Sequence, residues 1–383
     1  MKKTILFWSR SSVNKKGGTA TVMKNLFTNS KYNVFHVNEK VQSKYNKTQS
    51  QIFLNFINSN NKFFGFFFNL VKFLSIPFIV LFGIYYCKKI KPHKILTVYN
   101  DYVWIISAFY ISKICKIDLI LYIHDLAYPR VLNWNKLQYF SYLLFEKKIF
   151  EDKITSLVVV THQQKKILQK KFKKKIQILY FFFDYKKKYR SIKKKNAKKF
   201  IIGFSGTIHY DNLTQLIKLS EIVKSNNYLE MKLFVNNDKD FLKKIKLLNN
   251  KKIKISHIKD YQNLIKQLDT CDLLYLPFKI SGDKNNWSVY RDTITSKSLD
   301  YLYSSSPILF HGPKNTFNFK VFQKFNTAYL MCKDSPDLLL KKICSIKEKK
   351  INSKELFIKK QKTINFYFNK KKILDKFSSI IQH

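Results

Sequence analysis

The sequence predicts an α/β protein built from two doubly wound domains. Its 383 residues exceed one compact core of usual size, because domains run to about 100–200 residues. Hydrophobic residues make up 45% and aromatics 16%, enough for packed cores and too much for a disordered chain. Short β-rich runs recur between helix-like stretches. Most of these runs are continuously apolar rather than alternating, the mark of strands buried on both faces of a parallel sheet.

In chain order the first set of strands is expected at 4–9, 33–38, 94–99, 119–124, 157–161 and 176–182. The second is expected at 200–205, 231–235, 253–256, 273–277, 307–311 and 328–331. Between the sets lies a lysine-rich run, read most simply as a solvated linker. The expected organisation is a first domain over 1–184, a basic linker over 185–199, a second domain over 200–360 and a C-terminal helix over 361–383. That last stretch is lysine-rich and helical in pattern, and either caps the second domain or crosses back to the first.

The formal charge is +48, from 72 Lys+Arg against 24 Asp+Glu. So large an excess ordinarily points to nucleic acid or an anionic membrane. Yet only Arg10, Arg130, Arg190 and Arg291 are arginines, and phosphate- and base-gripping proteins favour the arginine fork. A chain rich in Lys, Asn, Ile, Phe and Tyr and poor in Gly, Pro and Ala reads as a compositional bias, so no nucleic-acid partner is expected. Five scattered cysteines (Cys87, Cys115, Cys271, Cys332, Cys344) form no C-x-x-C pair, which fits a reducing compartment. The apolar run after Lys3 is too short for a signal peptide. From Phe63 to Cys87 the one charge is Lys72. Pro77 and Asn69 interrupt this window, so it reads as a buried or membrane-surface helix pair rather than a span, with lysines nearby to meet anionic lipid.

Residues that resist the bias carry the functional signal. Glycine is 8 of 383, far below the usual ~7%. Gly17, Gly18, Gly203, Gly206, Gly282 and Gly312 fall at or after expected strand ends, as do Arg10, Arg130 and Arg291. In doubly wound folds ligands bind at those carboxyl ends. The connection after Pro277 is long for a βα loop, usually ~2–6 residues, and leads into Thr295-Ser296-Lys297-Ser298-Leu299-Asp300. An N-cap at Thr295 or Ser296 with Lys297 in the first turn makes an anion site suited to a diphosphate.

The run from Thr295 to Leu309 resembles the donor-site helix of GT-B glycosyltransferases, especially the family 4 type. Asp292 and Asp300 stand at D-x7-D spacing, matching the E-x7-E pair of that family with shorter acids. Further matches follow in order: Gly17-Gly18 as the double-glycine loop, His124-Asp125 at a strand end, Phe204-Ser205-Gly206-Thr207 opening the second domain, and Asp269 to Pro277 before the donor helix. The resemblance implies a GT-B fold, two Rossmann-like domains facing across a cleft. It places Asp300 on the nucleotide ribose, Asp292 and His124 at the donor sugar as catalytic residues, and Lys297 on the diphosphate. Gly17, Gly18, Ser205, Gly206, Arg291, Ser296 and Ser298 join the donor-binding set, and Arg10 and Arg130 are candidates for acceptor binding. The chain departs from the family by lacking the Arg and Lys early in domain two, where Thr207 to Asn212 supplies neither. Three serines, 304–306, replace the usual small Ala/Gly run.

The resulting expectation is a cytoplasmic glycosyltransferase, peripheral on the inner face of the membrane. It would move a sugar from a nucleotide-sugar, a co-substrate rather than a cofactor, to a glycan or lipid-linked acceptor of the cell envelope. Retention of configuration is implied by the family likeness. No metal is expected, since the single D-x-D, Asp238-Lys239-Asp240, has no acidic partners nearby in sequence. The rival readings are a GT-B-related nucleotide-sugar epimerase and a non-enzymatic basic binder of nucleic acid or anionic polymer.

Overall fold

The computed structural model describes residues 3–10, 18–39, 49–52, 70–126, 136–185, 199–208, 210–235, 251–258, 260–280 and 291–382. Gly17, Arg130, Gly282, most of the basic linker and the Asp238–Asp240 motif lie outside these residues. The chain divides into two compact units, Met1–Phe183 with Lys370–His383, and Asp184–Asn369.

Among the described residues unit 1 holds seven parallel strands: β1 (Thr4–Trp8), β2 (Asn33–Glu39), β3 (Gln49–Ile52), β4 (Lys94–Val98), β5 (Leu119–Ile123), β6 (Thr155–Val159) and β7 (Ile176–Ile178), in the order β3-β2-β1-β4-β5-β6-β7. β4 and β5 are buried along their whole lengths, which is why their sequences KILTV and LILYI show no alternation. The helices are α1 (Gly18–Asn29), α2 (Ile76–Ile90), α3 (Tyr102–Cys115), α4 (Lys136–Glu151) and α5 (His162–Lys171). α3 is apolar nearly all round and accordingly sits inside, between the sheet and α2. Its N-terminus is capped by Asp101, whose Oδ1 accepts from the Val103 N–H at 3.0 Å. The Trp8 ring packs on Trp104 at 5.2 Å and its Nε1 donates to Ser107 Oγ at 2.9 Å, tying β1 to α3.

Among the described residues unit 2 holds six parallel strands: β8 (Phe200–Ser205), β9 (Leu229–Phe234), β10 (Ile253–Ser256), β11 (Leu273–Pro277), β12 (Ile308–His311) and β13 (Tyr329–Met331), in the order β10-β9-β8-β11-β12-β13. Its helices are α6 (Tyr210–Ser225), α7 (Tyr261–Leu268), α8 (Ser296–Tyr303), α9 (Phe317–Phe325), α10 (Pro336–Glu348) and α11 (Ser353–Tyr367). At Gly203 the strand runs so close to Cys271 that a Cβ would stand 2.5 Å from its Sγ. The chain then returns to unit 1 as α12 (Lys370–Gln382), where Phe377 meets the Tyr32 ring edge-on at 6.0 Å and the Tyr32 hydroxyl donates to the Ser378 carbonyl at 3.2 Å. The division therefore falls at 370 rather than 361, and the helical C-terminal stretch is two helices parted at Phe368 and Asn369.

All twelve expected strands form, with ends displaced by a few residues. β3 is an additional strand. Its sequence QSQI is polar and four residues long, and it pairs with β2 alone at the sheet edge. Main-chain bonds make that pairing, so no apolar pattern announces it. In each sheet the strand order reverses direction beside the first strand, between β1 and β4 and between β8 and β11. Those two points are where ligands bind in such folds. Trp8→Ala, which removes a fully buried ring and its hydrogen bond, lowers the free energy of unfolding by about 3–5 kcal/mol, read from urea denaturation.

Candidate functional site

The reversal point of unit 2 is built from the β8 end and the first turns of α8. After β8 the backbone turns at Gly206, whose φ of +94° is open to glycine. A Cβ there would stand 2.5 Å from Lys297 Cε, so the bare glycine also makes room for that side chain. Lys297 lies over the Phe204 ring at 4.4 Å, and its Nζ donates to the Thr207 carbonyl at 2.8 Å. The lysine, the Gly206 turn and the α8 N-terminus are thus one constellation. Ser296 opens the helix, half-buried, and Ser205 ends β8, its N–H donating to the Tyr301 hydroxyl at 2.9 Å.

The α8 N-terminus is fixed by a buried polar network. Thr295 is the N-cap, and its Oγ1 accepts from the Ser298 N–H at 3.3 Å. Ser298 Oγ donates to Asn318 Oδ1 at 2.6 Å, and Asn318 Nδ2 donates to the Thr293 carbonyl at 3.1 Å. Ser298 is therefore placed within the cap, fully buried, where it orients the helix.

Asp300 sits one turn after Lys297 on the same helix and is buried. Burial pushes its carboxyl up to about 7, against the opposing pull of the Tyr261 phenol and the Lys297 ammonium. Burial likewise lowers Lys297 to about 7, with Asp300 pulling the other way. Among the described residues no group meets full hydrogen-bond geometry with the buried Asp300 Oδ1, although the Tyr261 phenol is close enough to act on the carboxylate. Around it stand Tyr261, Tyr303 and Tyr185, the last with its ring 5.3 Å from Tyr303 and 6.2 Å from Tyr261. An unsatisfied buried carboxylate oxygen costs on the order of 1–3 kcal/mol, a cost that a ligand hydroxyl would relieve.

The far end of α8 is tied as firmly, by residues to which the sequence reading gave no role in the site. Ser304 Oγ and the Ser305 N–H both donate to Asp269 Oδ1, at 2.9 and 2.7 Å, and Ser306 Oγ reaches the Leu268 and Cys271 carbonyls at 2.9 and 2.7 Å. The hydroxyl bonds explain the serines at 304 and 306, where small apolar residues would have none to offer, while Ser305 contributes its backbone N–H. Lys360, fully buried on α11, donates to the carbonyls of Tyr301, Ser304 and Ser306 at 2.8, 2.9 and 2.6 Å. Only the tertiary fold brings Lys360 here, so among 68 lysines nothing in sequence sets it apart.

Preceding α8, Arg291 and Asp292 form a two-bond fork, Nε to Oδ1 and Nη2 to Oδ2, both 2.8 Å. Asp292 is buried, so the guanidinium compensates its charge.

In unit 1 the reversal point carries Arg10, whose Nη1 donates to Asp101 Oδ2 at 3.1 Å. Gly18 opens α1, exposed, at the carboxyl end of β1. His124 follows β5 and is buried; its carbonyl accepts from Gln164 Nε2 at 2.7 Å, and its ring meets Tyr122 at 4.3 Å. Burial lowers its pKa to about 3, so the imidazole is neutral at physiological pH. The neighbouring Asp125 is pushed up to about 6 by the same burial. Among the described residues no three His, Cys, Asp or Glu side chains come together as a set of metal ligands.

No protein-family model and no curated protein sequence matches this chain. Solved structures do. Sucrose-phosphate synthase from Thermosynechococcus elongatus superposes with a TM-score of 0.73 at 12% identity, over 100% of this chain and 98% of that one. A glycosyltransferase from Rickettsia africae gives 0.68 at 15% identity, over 100% and 98%. The Anabaena protein HepE, solved with UDP and glucose, gives 0.65 at 13% identity over 99% of each chain. The fold is that of GT-B glycosyltransferases.

The raised Asp300 pKa has a definite effect on stability. The unfolded carboxyl ionises near 3.8 and the folded one near 7, so between those values the folded state binds more protons and stability falls as pH rises. Asp300→Asn therefore makes the ligand-free protein more stable than the parent at pH 8, and the gain disappears below pH ~4 in urea titrations.

Proposed function

We propose that the protein is a glycosyltransferase that moves a sugar from a nucleotide-sugar to a glycan or lipid-linked acceptor. The observation that carries the reading is α8: its N-terminus and Lys297 face the Gly206 turn, and one turn along stands the buried Asp300 Oδ1, without a full hydrogen bond among the described residues. A diphosphate suits the first pair and a ribose hydroxyl suits the second. Ammonium and helix dipole together stabilise the negative charge that develops on a departing diphosphate, which supports transfer without a metal. That HepE was solved with UDP and with UDP-glucose agrees with a donor of this class.

In this reading unit 1 takes the acceptor, with Arg10 among its contacts. His124, held neutral, hydrogen-bonds a sugar hydroxyl rather than acting as a base. Retention and a place in family 4 rest on the D-x7-D motif at Asp292 and Asp300.

Calorimetry at pH 8 tests the donor assignment. UDP or UDP-glucose binds the parent, and Asp300→Ala abolishes binding. Returning Lys297 to its ammonium form takes up a proton, because its unliganded pKa is about 7. The heat therefore depends on the ionisation enthalpy of the buffer, and Lys297→Met removes that dependence along with most of the affinity. Unaltered affinity in Lys297→Met sinks the diphosphate role.

Unit 1 is also proposed to lie on an anionic membrane at the cytoplasmic face. The helical run Leu70–Ile90 is long and apolar enough to cross a bilayer, but one side of it packs on α3. On the other side Leu74, Phe78, Leu81 and Tyr85 are 55–74% exposed, a stripe at helical spacing, and Phe140 and Leu144 of α4 are exposed as well. Lys88 and Lys89 follow in the last turn of α2. Sedimentation with phosphatidylglycerol vesicles recovers the protein, phosphatidylcholine vesicles and high salt do not, and Phe78→Ser with Leu81→Ser weakens recovery on the anionic vesicles. Equal recovery on both lipids argues against the surface.

A further inference from the structure

We infer that Lys360 is a positioning residue for the donor site, resting on the reading above: it fixes the C-terminal turn of α8 and through it the placement of Lys297 and Asp300. α8 has eight residues, two turns, and a helix so short has no stability of its own. Its direction is imposed from outside, at the N-terminus by the Thr295, Ser298 and Asn318 network and in the middle by the Tyr301 hydroxyl, which donates to the Tyr275 carbonyl at 3.1 Å.

The last turn leaves carbonyls without helical partners. Lys360 places its three N–H donors on the carbonyls of Tyr301 in that turn, Ser304 at the C-cap and Ser306 just beyond the helix. The same turn closes on Asp300, whose carbonyl accepts the Ser304 N–H at 3.0 Å. Motion of Ser304 is therefore transmitted to the backbone of Asp300. The ammonium also opposes the negative end of the helix dipole. A buried lysine is expensive, and an apolar residue would fill the space more cheaply. What the lysine adds is a charge and three directed bonds at one helix end.

Three substitutions separate placement from packing. Lys360→Met keeps the volume and loses charge and bonds, Lys360→Gln keeps N–H donors without charge, and Lys360→Arg keeps both. UDP affinity is measured by calorimetry from pH 6 to 9, with circular dichroism confirming folding. Lys360→Met weakens UDP by about tenfold or more, a factor worth about 1.4 kcal/mol. It also shifts the pH midpoint of binding, because a displaced α8 changes the burial that sets the titration of Lys297 and Asp300. Lys360→Gln does the same to a smaller degree, and Lys360→Arg restores the parent midpoint. A folded Lys360→Met with parental affinity and midpoint overturns the inference. If neither neutral variant folds, Lys360 is a folding residue and the inference also falls. A parent protein that binds neither UDP nor UDP-glucose contradicts the donor reading itself, a result visible before any substitution is made.

Discussion

The constraint on which unit 2 depends is the withdrawal from water of a half-buried lysine and a buried carboxylate one turn apart on a two-turn helix. Each loses hydration that their mutual attraction only partly returns, so the pKa of each is drawn toward neutrality. A helix carrying that cost must be held by its surroundings. α8 is held at both ends and in the middle, by a cap network, a tyrosine hydroxyl, a serine turn and a buried ammonium. Little freedom remains for Lys297 to leave the Gly206 turn. Sites built this way trade stability for a polarity poised to receive charge.

The sheets were legible because their strands are buried on both faces, and a continuous apolar run such as LILYI in β5 is hard to read otherwise. β3 was not legible, since a polar edge strand is specified by main-chain bonds and by its neighbour. The site was legible in part. Gly206, Lys297 and Asp300 stand out against a lysine-rich, glycine-poor background, and the structure brings the three together. Lys360 was invisible, because it acts through contacts 54 to 59 residues away in the chain and is one of 68 lysines, while Asp269 was read only as the start of a strand motif, its bonds to Ser304 and Ser305 being made 35 and 36 residues away. Gly17 and Arg130 lie outside the described residues.

The arginines sharpen the meaning of the +48 charge. Of the four, Arg10 and Arg291 lie among the described residues, and each is bonded to an aspartate beside a strand end or helix start, Asp101 or Asp292. Arg291 uses its planar fork to fix Asp292 with two bonds, and Arg10 holds Asp101 through Nη1. Lysines serve chiefly as solvated surface, and Lys297 and Lys360 are among the departures, each with its ammonium on backbone carbonyls.

The most direct test of this account is a crystal structure of the protein with UDP. It predicts diphosphate oxygens within about 3 Å of Lys297 Nζ and a ribose hydroxyl at the same distance from Asp300 Oδ1. A nucleotide ordered elsewhere, with Lys297 still on the Thr207 carbonyl and Asp300 Oδ1 still without a full hydrogen bond, would contradict it.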